Sequence, residues 1–110
     1  MDIETMQQRA LAVRARFAAF EKATYGREWT SADLVMGLMV DLGDLASAVQ
    51  RLEGLRPRGS QEPTAELRHE ISDCLWVLLV LAHRYEIDVA SAFTETMTEI
   101  ERWIDDRPVS

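Results

Sequence analysis

The chain has 110 residues, and its 12 Lys and Arg side chains against 19 Asp and Glu give a formal net charge of −7. This length is enough for one hydrophobic core but not for two, so we expect a single domain over residues 1–110, with a short polar tail from about residue 105. An acidic balance without any cluster of Lys and Arg disfavours a nucleic acid polymer or an anionic membrane surface as the partner.

Cysteine usage and hydropathy indicate the compartment. Cys74 is the only cysteine, so the chain can form neither an internal disulfide nor a cysteine-based zinc site. The N-terminal sequence MDIETMQQRA is acidic and polar, unlike a signal peptide. The longest apolar run, residues 74–82, is much shorter than the 20 or so residues of a membrane span. We therefore expect a cytoplasmic protein without a membrane partner.

Apolar residues recur at intervals of three and four, and no segment alternates apolar with polar residues as strands do. This pattern predicts four helices, over about residues 3–23, 30–53, 63–85 and 88–104. Thr30 and Asp88 can cap the second and fourth helices, while Gly26 and Gly54 end the first and second. The short connections predict an all-α, antiparallel four-helix bundle.

The apolar side of each helix is expected to face the core. On the first helix it comprises Met6, Ala10, Val13, Phe17 and Phe20. On the fourth helix it comprises Ala92, Phe93, Met97, Ile100, Trp103 and Ile104. Residues 74–82 are apolar all around the third helix, which indicates a central, buried position and contact with a partner subunit.

Four acidic residues interrupt this pattern. Asp41 and Asp44 lie three apart on the second helix, and Glu70 and Asp73 lie three apart on the third, so each pair shares one helix face. Both pairs follow the inward apolar stripe. Each lies about ten residues, or roughly 15 Å of helix, from the intervening turn. In an antiparallel hairpin the four carboxylates would therefore meet between the helices.

Convergent carboxylates repel one another unless a cation neutralises them. Oxygen ligands suit Mg²⁺ or Mn²⁺, so Asp41, Asp44, Glu70 and Asp73 are predicted to hold a divalent metal and to act catalytically through it. None of the four is a histidine, which argues against iron or zinc. His69 and His83 are expected on the solvated surface.

At these motifs the sequence resembles the MazG-like, all-α nucleoside triphosphate pyrophosphohydrolases, whose hallmark is E-x-x-E on one helix and E-x-x-D on the next. In VDLGDLASAV, Asp41 and Asp44 stand where the family has two glutamates. In HEISDCLWVLLVLAHRYEIDVASAF, Glu70 and Asp73 keep the family identities. The resemblance covers about residues 29–93.

The resemblance implies a Mg²⁺-dependent reaction that cleaves a (deoxy)nucleoside triphosphate into a monophosphate and pyrophosphate. It also implies a homodimer or homotetramer with sites near the subunit interfaces. Trp76 is a candidate for stacking on the nucleobase, although an aromatic residue at helical spacing is also typical of a core. Arg51 is a candidate phosphate contact, with a surface salt bridge as the alternative.

Some positions depart from the family pattern. Aspartate is one methylene shorter than glutamate, which withdraws the ligand oxygens of the second helix by about 1 Å. Val40 stands where many relatives carry a further glutamate. Thr96, Ile100 and Trp103 stand where relatives often have Lys, Asn and Arg, and Arg102 is the one basic residue in that stretch. These departures leave a second hypothesis open, a catalytically degenerate MazG-like module for binding or assembly.

Overall fold

The computed structural model describes residues 1–108, so the last two residues of the predicted tail lie outside it. The described chain forms four helices and no strand, which confirms the all-α class. The helices are α1 (Ile3–Tyr25), α2 (Ser31–Leu52), α3 (Pro63–Arg84) and α4 (Val89–Asp105). Within residues 1–108, no helix is both long enough and apolar enough to cross a bilayer.

The helix ends follow from local capping. Thr30 and Asp33 form a capping box at the start of α2, and Asp88 accepts a hydrogen bond from the Ser91 amide at the start of α4. Gly26 ends α1 with a φ of 80°, a left-handed conformation that glycine adopts without strain. Each observed boundary lies within about two residues of the predicted one.

Helix α3 is the centre of the fold, and it packs against both α2 and α1. Leu34 from α2 packs with Val77 and Val80 from α3 in a buried cluster. The other buried hydrophobic residues are Ala48, Cys74 and Leu79. Two hydrogen bonds to backbone carbonyls join α1 to α3, from Gln7 to Leu79 at 2.9 Å and from Trp76 to Ala10 at 2.9 Å. The later α1 residue, Ala10, pairs with the earlier α3 residue, Trp76, so the two helices run antiparallel.

The burial of α1 differs from the sequence prediction. Val13, Phe17 and Phe20 are 37%, 47% and 55% exposed, whereas Arg14 and Glu21 are the buried residues of this helix. The buried pair lies on the same side of α1, because each residue follows a stripe residue by four positions. The apolar stripe is therefore divided: Ala10 packs against the core, whereas Phe17 and Phe20 border an open cavity.

Helix α4 also differs from the prediction, because none of its residues is buried. Phe93, Ile100, Trp103 and Ile104 of its apolar side are all at least 46% exposed. The sequence predicts a bundle in which the apolar sides of all four helices face the core. In the structure, α1, α2 and α3 share a core that α4 does not join. In the apolar run of α3, Cys74, Val77, Leu79 and Val80 are buried, Leu78 is 51% exposed, and the other four residues are half-buried.

Candidate metal centre and adjoining cavity

The acidic pairs of α2 and α3 come together in the structure. Asp41, Asp44 and Glu70 each offer a carboxylate oxygen, and these three oxygens lie within 4.8 Å of one another. Glu70 and Asp73 form a second such group with a ring nitrogen of His69, also within 4.8 Å. We refer to Asp41, Asp44, Glu70 and Asp73 as the carboxylate cluster.

Burial and like charge act together on the carboxylate cluster. Partial desolvation, followed by the negative charges of Asp73 and Asp44, raises the pKa of Asp41. Desolvation and then the charges of Asp44 and Asp73 raise the pKa of Glu70. Among the described residues, no lysine or arginine forms a salt bridge with the cluster. Apart from the His69 imidazole beside Asp73, no basic side chain among the described residues pairs with the cluster, and a bound cation would offset its like charges.

His69 is the residue that the sequence interpretation placed outside the site. Its side chain is exposed, but its Nε2 atom lies 3.1 Å from Asp73 Oδ2, because the two residues are four apart on α3. His69 is thus exposed, as the sequence predicts, and it also lies beside the carboxylate cluster. An imidazole nitrogen widens the range of metals that this donor set could accept, since zinc and iron take imidazole ligands.

The donor set fits a hard divalent cation. Carboxylate oxygens on facing helices are the ligands that Mg²⁺ and Mn²⁺ prefer. The cluster is partly open to solvent, with Asp44 exposed and the other three acids half-buried. A metal ion held there would retain coordination positions for water.

A cavity of about 470 Å³ adjoins the cluster between α1, α2 and α3, and Asp41 and Asp73 line it directly. Its aromatic lining consists of Phe17, Phe20, Tyr25, Trp29 and Trp76. We call this space the aromatic cavity. Its volume lies in the range of typical small-molecule sites, roughly 300–1,000 Å³. No residue of α4, within its described range, lines the cavity or belongs to the cluster.

Arg14 and Glu21 also line the aromatic cavity, and neither was predicted from the sequence. Arg14 Nη2 donates to Glu21 Oε1, and the same carboxylate oxygen accepts the Trp29 amide at 3.0 Å. The sequence feature that could have predicted this buried pair is the spacing of its opposite charges, which lie seven residues apart on the apolar side of one helix.

The two predicted substrate contacts differ in position. Trp76 lies in the cavity wall, where its indole nitrogen donates to Ala10 and its ring lies 5.5 Å from that of Phe17. Arg51 forms a salt bridge with Glu66 and is not among the residues that line the cavity. The salt-bridge interpretation of Arg51 therefore agrees with the geometry.

Comparison with known proteins does not assign the chain to a family. No protein-family model, no curated protein and no solved structure matches the chain.

Proposed function

We propose that this protein is a Mg²⁺-dependent nucleotide pyrophosphohydrolase of MazG-like type, with Mn²⁺ as an alternative metal. The main support for the proposal is that the carboxylate cluster and the aromatic cavity are continuous. Asp41 and Asp73 belong to the cluster and also line the cavity. One region can thus hold a cation for phosphates, and the adjoining region can hold a planar base. A (deoxy)nucleoside triphosphate presents both chemical groups.

In the proposed reaction, a water oxygen forms a bond to the α-phosphorus while the bond from this phosphorus to the α–β bridging oxygen breaks. The products are a nucleoside monophosphate and pyrophosphate. The carboxylate cluster holds the metal, and the aromatic cavity orients the nucleoside. When bound, the metal would supply positive charge to the phosphates and lower the pKa of a water molecule.

The test is pyrophosphate release from a panel of ribo- and deoxyribonucleoside triphosphates, with Mg²⁺ and Mn²⁺ in separate arms. We expect release from at least one nucleotide, and Asp73→Asn should reduce it to background. Glu99→Gln, which neutralises an exposed acid on α4 outside the site, should leave the rate unchanged. No release from any nucleotide with either metal, or full turnover by Asp73→Asn, would contradict the proposal.

The exposed apolar side of α4 favours a second candidate function, a helical module for binding or assembly that does not turn over nucleotides. Val40 in the cavity lining and the scarcity of basic residues near the cluster support it. Thermal melting distinguishes the two candidates, because any ligand specific for the native state raises the melting temperature. If Mg²⁺ raises the melting temperature and nucleotides added afterwards do not raise it further, the result favours the binding or assembly module.

We also propose that the chain assembles as a homodimer or homotetramer. The radius of gyration is 17.5 Å, whereas a compact chain of this length has about 13 Å. The apolar side of α4 is exposed, and association would bury this surface.

A further inference from the structure

A buried ion pair on α1 lies behind one wall of the aromatic cavity. Arg14 and Glu21 are two helical turns apart, and their side chains are 9% and 3% exposed. Arg14 Nη2 donates to Glu21 Oε1. Burial of two charges carries a desolvation penalty, and apolar side chains of similar volume often stabilise a fold equally well. Stability alone therefore does not account for this pair.

The pair is connected to Trp29, which lies in the segment between α1 and α2. Glu21 Oε1 accepts the Trp29 amide at 3.0 Å as well as the Arg14 guanidinium. Arg84, at the end of α3, donates from both terminal nitrogens to the Trp29 carbonyl at 3.5 Å. Side chains from two helices thus hold both backbone polar groups of a residue that lies outside the helices. These contacts restrain the position of Trp29.

The indole of Trp29 lies close to both α1 and α2. The Arg14 guanidinium is 6.0 Å from the centre of the ring, at the outer limit of a cation–π contact. A Cβ atom added at Gly37 of α2 would lie 3.5 Å from the ring, which is ordinary van der Waals contact. Trp29 is nevertheless 39% exposed, and it lines the aromatic cavity. The exposed part of this wall therefore rests on residues that a ligand need not touch.

We propose that Arg14 and Glu21 are positioning residues, which fix Trp29 as a wall of the aromatic cavity and preorganise the surface on which a flat ligand ring stacks. Neither side chain has to touch the ligand, because both act through Trp29. A wall that is ordered on folding need not be ordered again on binding, which strengthens the binding of the ligand. The inference rests on the proposed function for the identity of the ring, a nucleobase.

The first measurement follows Trp29 without metal or nucleotide. 5-Fluorotryptophan labels the three tryptophans, and the variants Trp29→Phe, Trp76→Phe and Trp103→Phe assign their fluorine resonances. In the native protein we expect one narrow Trp29 resonance and a Trp29 amide that Glu21 protects from hydrogen exchange. An unprotected Trp29 amide would overturn the inference.

Arg14→Met combined with Glu21→Leu, here called the apolar variant, replaces the pair with side chains of similar volume. The fold should persist, but the Trp29 amide loses its acceptor. We therefore expect the Trp29 resonance to broaden or to move towards that of a solvated indole, while the Trp76 resonance stays unchanged. Should the apolar variant fail to melt cooperatively, the exchange of the Trp29 amide in the native protein decides the inference instead.

Two further variants separate position from charge. Arg14→Met combined with Glu21→Gln also removes both charges, but the side-chain oxygen of glutamine can accept the Trp29 amide, so the native Trp29 resonance should return. Arg51→Met combined with Glu66→Leu is the matched control, because it removes an ion pair outside the cavity. It should leave the Trp29 resonance unchanged.

The second measurement connects Trp29 to the ligand. Calorimetry with Mg²⁺ gives dissociation constants for the α,β-methylene triphosphates of adenosine, guanosine, cytidine and uridine, in which the bond to be cleaved is blocked, and for inorganic triphosphate, which has no base. The apolar variant should bind the tightest of the four analogues about fivefold or more weakly, as expected when a base loses its stacking partner. Its affinity for inorganic triphosphate should not change. In a Trp29→Ala background, replacing the pair should have no further effect, because the pair acts through Trp29.

The outcomes separate this inference from the proposed function. An unchanged Trp29 resonance in the apolar variant, or an equal loss of affinity in the Trp29→Ala background, overturns the inference and leaves the proposed function in place. Equal weakening of inorganic triphosphate and the analogues also overturns it, because the replacement then disturbs the carboxylate cluster. If the native protein binds no analogue, the proposed function is contradicted, and the fluorine resonance alone decides whether the pair positions Trp29.

Discussion

Asp41 and Glu70 show most clearly what single residues contribute to the carboxylate cluster. Both have a raised pKa, first because they are partly desolvated and then because neighbouring carboxylates repel the charged form. In the absence of metal, their ionisation therefore opposes folding. With a divalent cation bound, ionisation of these carboxyls instead favours folding, since the cation stabilises the ionised form that burial disfavours.

We predict that Asp41→Asn and Glu70→Gln each stabilise the metal-free protein. Removing one like-charge pair contributes up to about 0.5 kcal/mol, which corresponds to a few degrees in melting temperature. Mg²⁺ at 100 times its Kd should stabilise the native chain by about 2.7 kcal/mol, and each variant should lose most of this gain. Calorimetric melting in EDTA and in Mg²⁺ measures both quantities, with Glu99→Gln as the control.

A variant that melted lower than the native protein in EDTA, yet kept the full shift with Mg²⁺, would count against a metal role for that carboxylate.

At the scale of the helix, the start of α2 depends on Asp33. Its carboxylate accepts from the Arg27 guanidinium at 2.7 Å and from the Thr30 amide at 2.9 Å. The Arg27 hydrogen bond, followed by that of Thr30, lowers the pKa of Asp33 from 3.8 to about 2. A carboxyl whose pKa is lowered on folding stabilises the native state above its unfolded pKa, and this stabilisation is lost as the pH falls through the folded value.

We therefore predict that Asp33→Asn destabilises the protein at pH 7 and that the difference narrows as the pH falls from about 4 to about 2. Arg27→Gln should reproduce part of the effect, because the guanidinium is the main cause of the lowered pKa. Urea midpoints across this pH range measure the difference. A difference that stayed constant down to pH 2 would show that the charge of Asp33 has no part in it.

Helix boundaries were predictable because their causes are local. A hydroxyl at Thr30, a carboxylate at Asp88 and a left-handed glycine at Gly26 act within a few residues of the helix end. The meeting of the two acidic pairs was predictable as well, since an antiparallel hairpin brings positions equally distant from its turn together. Burial was less predictable, because it depends on which neighbour covers a face. Periodicity alone could not show that Phe17 remains exposed while Arg14 is buried.

At the scale of the whole molecule, α4 is the main departure from a closed bundle. Its sequence has the amphipathic pattern of a core helix, but α1, α2 and α3 leave its apolar side uncovered within the chain. The periodicity predicts that the apolar side of α4 is buried, but it does not distinguish burial within the chain from burial against a second chain. This gap between pattern and burial supports the proposed homo-oligomer.

We predict that Ile100→Asp combined with Ile104→Asp dissociates the oligomer, because two charges then replace apolar groups at the interface. Thr98→Asp adds a charge on another side of α4 and should leave the assembly intact. Sedimentation equilibrium at micromolar concentrations gives the mass of each species. A native protein that is monomeric throughout this range would exclude the proposed assembly.

The central claim is that the carboxylate cluster binds a divalent metal, and a Mn²⁺ titration followed by electron paramagnetic resonance tests it most directly. The native protein should bind Mn²⁺ saturably at its site, and Mg²⁺ should compete for it. Binding should be lost in Asp41→Asn combined with Asp73→Asn, and retained in Glu99→Gln. Saturable binding of equal strength in the native protein and the double variant, or no binding in either, would contradict the claim.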